Sequence, residues 1–90
     1  MKTYNGHRSW NAWNVSLWIG NTENIYNYAM SCIKTARKWY DGKKFASDAK
    51  IVNKATRQFM QAFGGSKTPD GATYNALSVK LALEGYYIAS

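Results

Sequence analysis

The sequence has little of what cross-links, metal sites and membrane spans require. Its 90 residues include one cysteine, Cys32, so no disulfide can form within the chain. Cys32 and the single histidine, His7, cannot supply the three or four side chains that hold a zinc ion. No stretch approaches the roughly 18 apolar residues of a membrane-spanning helix, and the opening residues lack the apolar core of a secretion signal. We therefore expect a cytoplasmic protein in a reducing environment, without membrane contact or bound metal.

Acidic residues are also scarce. Five Asp and Glu oppose twelve Lys and Arg, which gives a formal net charge of +7. The electrostatic field of such a protein attracts nucleic acid, anionic lipid or an acidic protein face, and net charge alone does not distinguish among these partners. A catalytic histidine needs an orienting carboxylate and a nucleophile within reach, and the few carboxylates are better explained as helix ends. The sequence therefore predicts a binding protein that has no enzymatic activity and needs no cofactor.

Apolar and aromatic residues, by contrast, are plentiful. They include four Trp, seven Tyr and three Phe, too many rings for a disordered chain. Apolar spacing near 3.6 residues recurs four times, whereas alternation with a period of two persists nowhere. The length allows one domain. We predict a single all-α domain over residues 1–90, with about four helices around an aromatic-rich core.

Two helices are predicted in the first half of the chain. Ser9 can cap the first, and Gly20 would end it through the left-handed conformation that glycine favours. Its predicted buried stripe consists of Trp10, Trp13, Leu17 and Trp18, and Ala12, Val15 and Ile19 widen its apolar surface beyond that stripe. The second helix would begin at Asn21 or Thr22 and stop at Asp41-Gly42. Its apolar register, the clearest in the chain, is formed by Ile25, Tyr28, Ala29, Cys32, Ile33, Ala36 and Tyr40.

Two more helices are predicted in the second half. The third would begin at Ser47 or Asp48 and end at Gly64-Gly65. Its core side would carry Val52, Ala55, Phe59, Met60 and Phe63. Thr68-Pro69-Asp70 predicts the start of a fourth helix, with Pro69 at the first helical position. Gly85 would end that helix and leave a short tail.

The aromatic residues divide into two groups. Those on apolar helical registers are expected in the core, namely Trp10, Trp13, Trp18, Tyr28, Phe59 and Phe63. For others the register decides nothing, and exposure in a binding surface stays an alternative for Tyr4, Tyr26, Trp39, Tyr86 and Tyr87. The early asparagines, such as Asn11 and Asn14, are interpreted as the polar side of the first helices, with contact to a partner as the alternative.

The strongest asymmetry of the sequence is a basic segment in its middle. Eight of the twelve cations lie there, with Asp41 and Asp48 as the only acids. Lys50, Lys54 and Arg57 share one helical face, and an antiparallel second helix could add its own cations to one patch. The predicted binding residues are Lys34, Arg37, Lys38, Lys43, Lys44, Lys50, Lys54 and Arg57, with Trp39 and Tyr40 as anchors. The alternative is a solvated face that only keeps the protein soluble.

Two segments resemble one known family. The opening TYNGHRSWNAWNV, residues 3–15, continued by LWIGN, residues 17–21, resembles a family of short bacteriophage and mobile-element proteins without an assigned activity. The later KTPDGATYN, residues 67–75, is similar to the second block of that family. The resemblance implies a bacteriophage setting inside a bacterial host cell, and it implies no catalytic residues.

That setting suggests a class of function. Small bacteriophage proteins without enzymatic motifs commonly act by occupying a surface on a host machine. We therefore expect a stoichiometric inhibitor of a host defence complex, comparable to anti-CRISPR proteins, whose basic face meets an acidic or nucleic-acid-binding surface of a protein or ribonucleoprotein. The alternative is a nonspecific nucleic-acid-binding accessory protein that uses the same residues on phosphates. A third possibility is an assembly protein that associates with itself through its aromatic residues.

Overall fold

A computed structural model describes residues 9–89 as α-helices joined by short connections. In this range the helices are α1 (Trp10–Asn21), α2 (Glu23–Tyr40), α3 (Asp48–Phe63) and α4 (Ala76–Ala89). The predicted all-α class is therefore confirmed. The expectations for Tyr4 and His7 lie outside the described residues.

Short polar side chains start three of these helices. Ser9 Oγ accepts a hydrogen bond from the backbone N–H of Ala12, at 3.1 Å. Ser47 Oγ accepts from the backbone N–H of Lys50, at 3.2 Å, so the third helix begins where the sequence predicts. The side chain of Asn75 plays the same part for α4. Each cap satisfies a backbone donor that the first helical turn leaves unpaired.

The helices pack in a closed cycle, in which α1 and α3 each contact both α2 and α4. Tyr87, near the end of α4, donates to the carboxylate of Asp48 at the start of α3, at 2.7 Å, so these two helices are antiparallel. Asn11 and Ser78, early in α1 and α4, are joined by a hydrogen bond of 2.7 Å. This contact places α1 parallel to α4.

The core is centred on aromatic rings between α2 and α3. Phe59 is fully buried and stacks on Phe63 with ring centroids 4.8 Å apart. Tyr28, early in α2, lies 5.7 Å from both rings, so the start of α2 meets the end of α3 and the two helices are antiparallel. Cys32 is buried in the same core, as its register predicts, and burial raises the pKa of its thiol.

The predicted buried stripe of α1 is wrong. Trp10 and Leu17 are 38% and 36% exposed, and Trp13 and Trp18 are half-buried. The face that packs on α2 and α4 instead carries Ala12, Asn14, Val15 and Ile19. Small and β-branched side chains allow a closer approach between helices than four bulky residues would. Trp18 is turned outward, where its indole N–H donates to Asp70.

The predicted ends of α1 and α4 are also wrong. α1 continues through Gly20 to Asn21, and α4 runs through Gly85 to Ala89. Gly20 does not stop a helix; it makes room for the hydroxyl of Tyr86, which would lie 2.9 Å from an added Cβ atom. None of the helices in the described part of the chain combines the length and the apolar character that a membrane span requires.

Thr68-Pro69-Asp70 does not start α4, which begins at Ala76. These residues form a tight turn instead, in which the backbone N–H of Gly71 donates to the carbonyl of Thr68, at 2.9 Å. Gly71 has a positive φ of 94°, a conformation that side chains disfavour. The turn closes a narrow loop whose sides pair through an isolated antiparallel bridge between Lys67 and Thr73.

Candidate partner-binding surface

Cations and aromatic rings meet where the end of α2 faces the middle of α3. The indole of Trp39 is 50% exposed. The Nζ atom of Lys54 lies 4.5 Å from its ring centroid, and that of Lys43 lies 4.6 Å away. Residues from α2, from α3 and from the connection between them therefore share one exposed ring.

A second exposed ring extends this arrangement. Phe45, in the connection between α2 and α3, is 55% exposed, and Lys50 Nζ lies 5.0 Å from its ring centroid. Tyr40 contacts the rings on both sides, at 4.9 Å from Trp39 and 6.0 Å from Phe45. We call this set the basic-aromatic surface, and it consists of Trp39, Tyr40, Lys43, Phe45, Lys50, Lys54 and Arg57.

Helical geometry explains why α3 contributes three cations. Its buried positions include Val52, Ala55 and Phe59, and the other side of the helix is left for solvent. Lys50, Lys54 and Arg57 occupy that outer side at spacings of four and three residues. The prediction that these three residues share one face is confirmed.

The three α3 cations of this surface line depressions in which no carboxylate is found among the described residues. Lys50 and Arg57 line a groove between α3 and α4, and Lys54 and Arg57 line a cleft along α3. Asp48, the acid closest in sequence to Lys50, accepts the hydroxyl of Tyr87 on another side of the molecule. A lysine over an exposed ring gains about 0.5–1 kcal/mol, so the rings restrict where these ammonium groups lie.

The structure does not gather all the predicted binding residues into one patch. The guanidinium of Arg37 lies 4.5 Å from the ring centroid of Tyr87, against α4. Arg37 and Trp39 are two residues apart, which corresponds to about 200° around a helix, so they point to nearly opposite sides of α2. The prediction of one patch is therefore wrong for Arg37.

The remaining predicted cations lie outside the basic-aromatic surface, and helical geometry places Lys34 and Lys38 about 140° and about 100° around α2 from Trp39. Lys34 and Lys38 are exposed on α2 and are offset from its buried positions Ala29, Ile33 and Ala36. Lys44 is exposed in the connection after α2. These three lysines extend the positive field without taking part in the ring contacts described above.

Sequence reasoning missed Phe45, Leu77 and Lys80. Phe45 lies outside every helical register, and its only signal is its place within the basic segment. Leu77 and Lys80 belong to α4, far along the chain from that segment. Together with Lys50 and Arg57 they line an open groove between α3 and α4. The contact between these helices is a tertiary feature that local spacing does not reveal.

A polar cluster separate from the basic-aromatic surface holds the loop before α4 against α1. The amide of Asn14, which is buried, donates to Asp70 Oδ2 at 2.9 Å. The indole N–H of Trp18 donates to the same oxygen at 2.8 Å. These two hydrogen bonds hold the pKa of Asp70 below its usual value. Asn14 Oδ1 accepts the hydroxyl of Thr68 at 2.6 Å, so both ends of its amide are used.

Asn11 fastens the other side of the same loop. Its Nδ2 donates to the backbone carbonyl of Thr73 at 2.9 Å, and its Oδ1 accepts from the backbone N–H of Thr73 at 2.8 Å. The interpretation of Asn11 and Asn14 as a polar outer side is therefore wrong, because they bind the loop within the protein. The described residues contain no group of three or more His, Cys, Asp or Glu that could hold a metal ion.

Comparison with known proteins places the chain in a family. A family model described as a family of unknown function, DUF7249, matches residues 1–85. No curated protein and no solved structure matches the chain.

Proposed function

Since the chain belongs to DUF7249, a family of unknown function, we propose its role from the surface it presents. The proposal is a stoichiometric inhibitor whose basic-aromatic surface covers an acidic or nucleic-acid-binding face of a host protein or ribonucleoprotein. The observation that carries it is the exposed Trp39 indole with Lys43 and Lys54 over it. The resemblance to bacteriophage proteins favours a cytoplasmic bacterial target, such as a defence complex of the kind that anti-CRISPR proteins block.

Lysines held over rings are suited to this role. A free lysine side chain loses rotamer freedom when it pairs with a carboxylate, and that loss weakens binding. Lys43, Lys50 and Lys54 are already restrained by Trp39 and Phe45. Positive charge gathered on one side also speeds the encounter with an acidic face. The rings and the ammonium groups over them are then buried together once the partner is bound.

The same contacts favour an acidic protein face over stacked bases. Single-stranded nucleic acid binds through bases that lie on exposed aromatic rings. Here Lys43 and Lys54 lie over Trp39, and Lys50 lies over Phe45. A base could stack on those ring faces only after the ammonium groups had moved. Carboxylates, by contrast, meet the ammonium groups where they already lie.

One observation favours a second candidate, nonspecific binding of nucleic acid through phosphates. Lys54 and Arg57 line a polar cleft along α3 together with Gln58 and Gln61. Cations and amides are the groups that contact phosphate and sugar without reading the sequence. This candidate requires no stacking, and each phosphate contact would release a counterion.

Two variants of equal net charge test the proposal. K43E/K54E reverses charge within the basic-aromatic surface, and K34E/K38E reverses it outside that surface. In affinity capture from bacterial extract, we expect K34E/K38E to retain as much of the partner as the wild type does. K43E/K54E should retain about tenfold less of it. Both should stay folded, because surface substitutions usually change stability by about 0.5 kcal/mol or less. Equal losses would show a general charge effect and refute the proposed surface.

A titration with labelled oligonucleotides tests the second candidate. At about 0.15 M salt, the inhibitor proposal expects no appreciable binding of single- or double-stranded DNA or RNA. Wild-type binding that weakens steeply with salt would support the nucleic-acid candidate instead, provided that K43E/K54E loses more affinity than K34E/K38E does.

A further inference from the structure

The groove between α3 and α4 gives a chemical description of the partner. It is open to solvent and has a volume of about 570 Å³, within the range of clefts that bind small ligands. The rings of Tyr40 and Phe45 and the side chains of Ala76 and Leu77 supply its apolar lining. Leu77 is 53% exposed, although it lies beside the rings. Exposed apolar side chains gathered around a concavity are typical of an interface.

Cations from two helices border this apolar lining. Lys50 and Arg57 come from α3, and Lys80 comes from α4. No carboxylate is found among the described residues that line the groove. A ligand that fits must therefore carry an apolar group and negative charge close together, because either one alone would leave part of the groove unmatched.

We propose that the groove receives one large apolar side chain from an acidic segment of the partner protein. Carboxylates next to that side chain pair with Lys50, Arg57 and Lys80 at the rim. This inference rests on the proposed function and deepens it, because it states which feature of an acidic surface the protein recognises. Acidic surfaces without an apolar anchor are then bound weakly.

A nucleobase fits the groove less well than an apolar side chain does. The polar edge of a base needs hydrogen-bond partners once water is excluded. Lys50, Arg57 and Lys80 supply donors only. Asn53 is the one side-chain amide among the described lining residues that could accept from a base. The ring of Phe45 also has Lys50 Nζ over it. Leucine, methionine or phenylalanine side chains make no such demand.

Capped peptides and an isotopically labelled full chain provide the test. One pentapeptide has a central phenylalanine flanked on each side by two glutamates, and the other has alanine at the centre. We expect the phenylalanine peptide to shift the amide signals of Phe45, Asn53 and Leu77 and to bind about tenfold more tightly, since it buries a large apolar side chain. Leu77→Ala should remove most of that difference. Ile88→Ala, which alters an exposed residue of α4 outside the groove, should leave it intact.

The outcomes separate the two proposals. Equal affinity of the two peptides, with binding reduced in K43E/K54E, would refute the apolar anchor and leave the acidic partner standing. Failure of both peptides to bind, together with unchanged capture by K43E/K54E, would refute both. If oligothymidylate shifts the groove signals at lower concentrations than the phenylalanine peptide does, the proposal of a peptide segment is wrong and the groove binds nucleic acid.

Discussion

Single side chains on α1 hold the loop that precedes α4. Asn14 is buried and joins Thr68 to Asp70, while Asn11 binds the backbone of Thr73 on both sides of its amide. α1 and the loop at residues 67–75 therefore contact each other through these polar residues. The joint role of Asn11 and Asn14 within the described structure is to fix the loop.

Removing the charge of Asp70 should change how stability depends on pH. The folded-state pKa of Asp70 lies below its ordinary value because Asn14 and Trp18 donate to the carboxylate. The resulting stabilisation is present above the unfolded pKa, about 3.9, and is lost as pH falls through the lower folded value. In urea unfolding, Asp70→Asn should have a lower midpoint than wild type at pH 7. The gap should close progressively at acidic pH.

Asp41→Asn is the matched control for this prediction. It makes the same chemical change at an exposed carboxylate that follows α2 and takes no part in the hydrogen bonds described for the loop. We expect its urea midpoint to follow that of the wild type at every pH. A gap between Asp70→Asn and wild type that stayed constant down to acidic pH would contradict the assigned role of the Asp70 charge.

Residue environments were predictable where the sequence had a clear period and unpredictable where it did not. On α2, the polar residues around Ala29, Cys32 and Ile33 leave one choice for the buried side, and the structure confirms it. On α1, apolar residues surround most of the helix, so the sequence does not decide between the tryptophans and the face of Ala12, Val15 and Ile19. Packing against α2 and α4 decides instead.

At the scale of helices, caps and periodicity predicted α2 and α3 well, whereas the start of α4 was mistaken. Thr-Pro-Asp-Gly fits the first turn of a helix and also fits a tight turn. Local preference cannot separate the two. The hydrogen bonds from Asn14 and Trp18 to Asp70 favour the turn, and they come from residues more than fifty positions earlier in the chain.

The two glycines inside helices should respond differently to alanine. Glycine within a helix is less favourable than alanine by about 0.5–1 kcal/mol. An added Cβ at Gly85 meets nothing within 4 Å, so Gly85→Ala should stabilise the fold by about 0.5 kcal/mol. At Gly20 the Cβ would lie 2.9 Å from the Tyr86 hydroxyl, which donates to the carbonyl of Ser16.

Gly20→Ala should therefore gain less than Gly85→Ala or destabilise the protein, because Tyr86 must move. Free energies of unfolding from urea titrations of both variants provide the comparison. A larger gain for Gly20→Ala would mean that the contact between α1 and Tyr86 does not restrict that position.

At the scale of the whole molecule, the candidate surface was partly predictable. The basic segment identified Trp39, Tyr40 and the cations of α3, since those residues are close in sequence and the three α3 cations share one helix face. The separation of Arg37 from Trp39, and the addition of Leu77 and Lys80 from α4, depend on how helices pack around α3. That packing depends on contacts between residues far apart in the sequence, which local patterns do not reveal.

The charge distribution also makes a prediction about stability in salt. With a net charge of +7 and several cations gathered on one side of α3, the folded state is under electrostatic repulsion. Salt screens such repulsion, with a Debye length that falls from about 30 Å at 0.01 M to about 8 Å at 0.15 M. The thermal midpoint of the wild type should therefore rise between these salt concentrations, as measured by circular dichroism.

K43E/K54E, which removes repulsion within the basic-aromatic surface, should show a smaller rise than K34E/K38E at the same net charge. A midpoint that falls with salt in the wild type would mean that attractive ion pairs, and not gathered like charges, dominate the electrostatics of this fold.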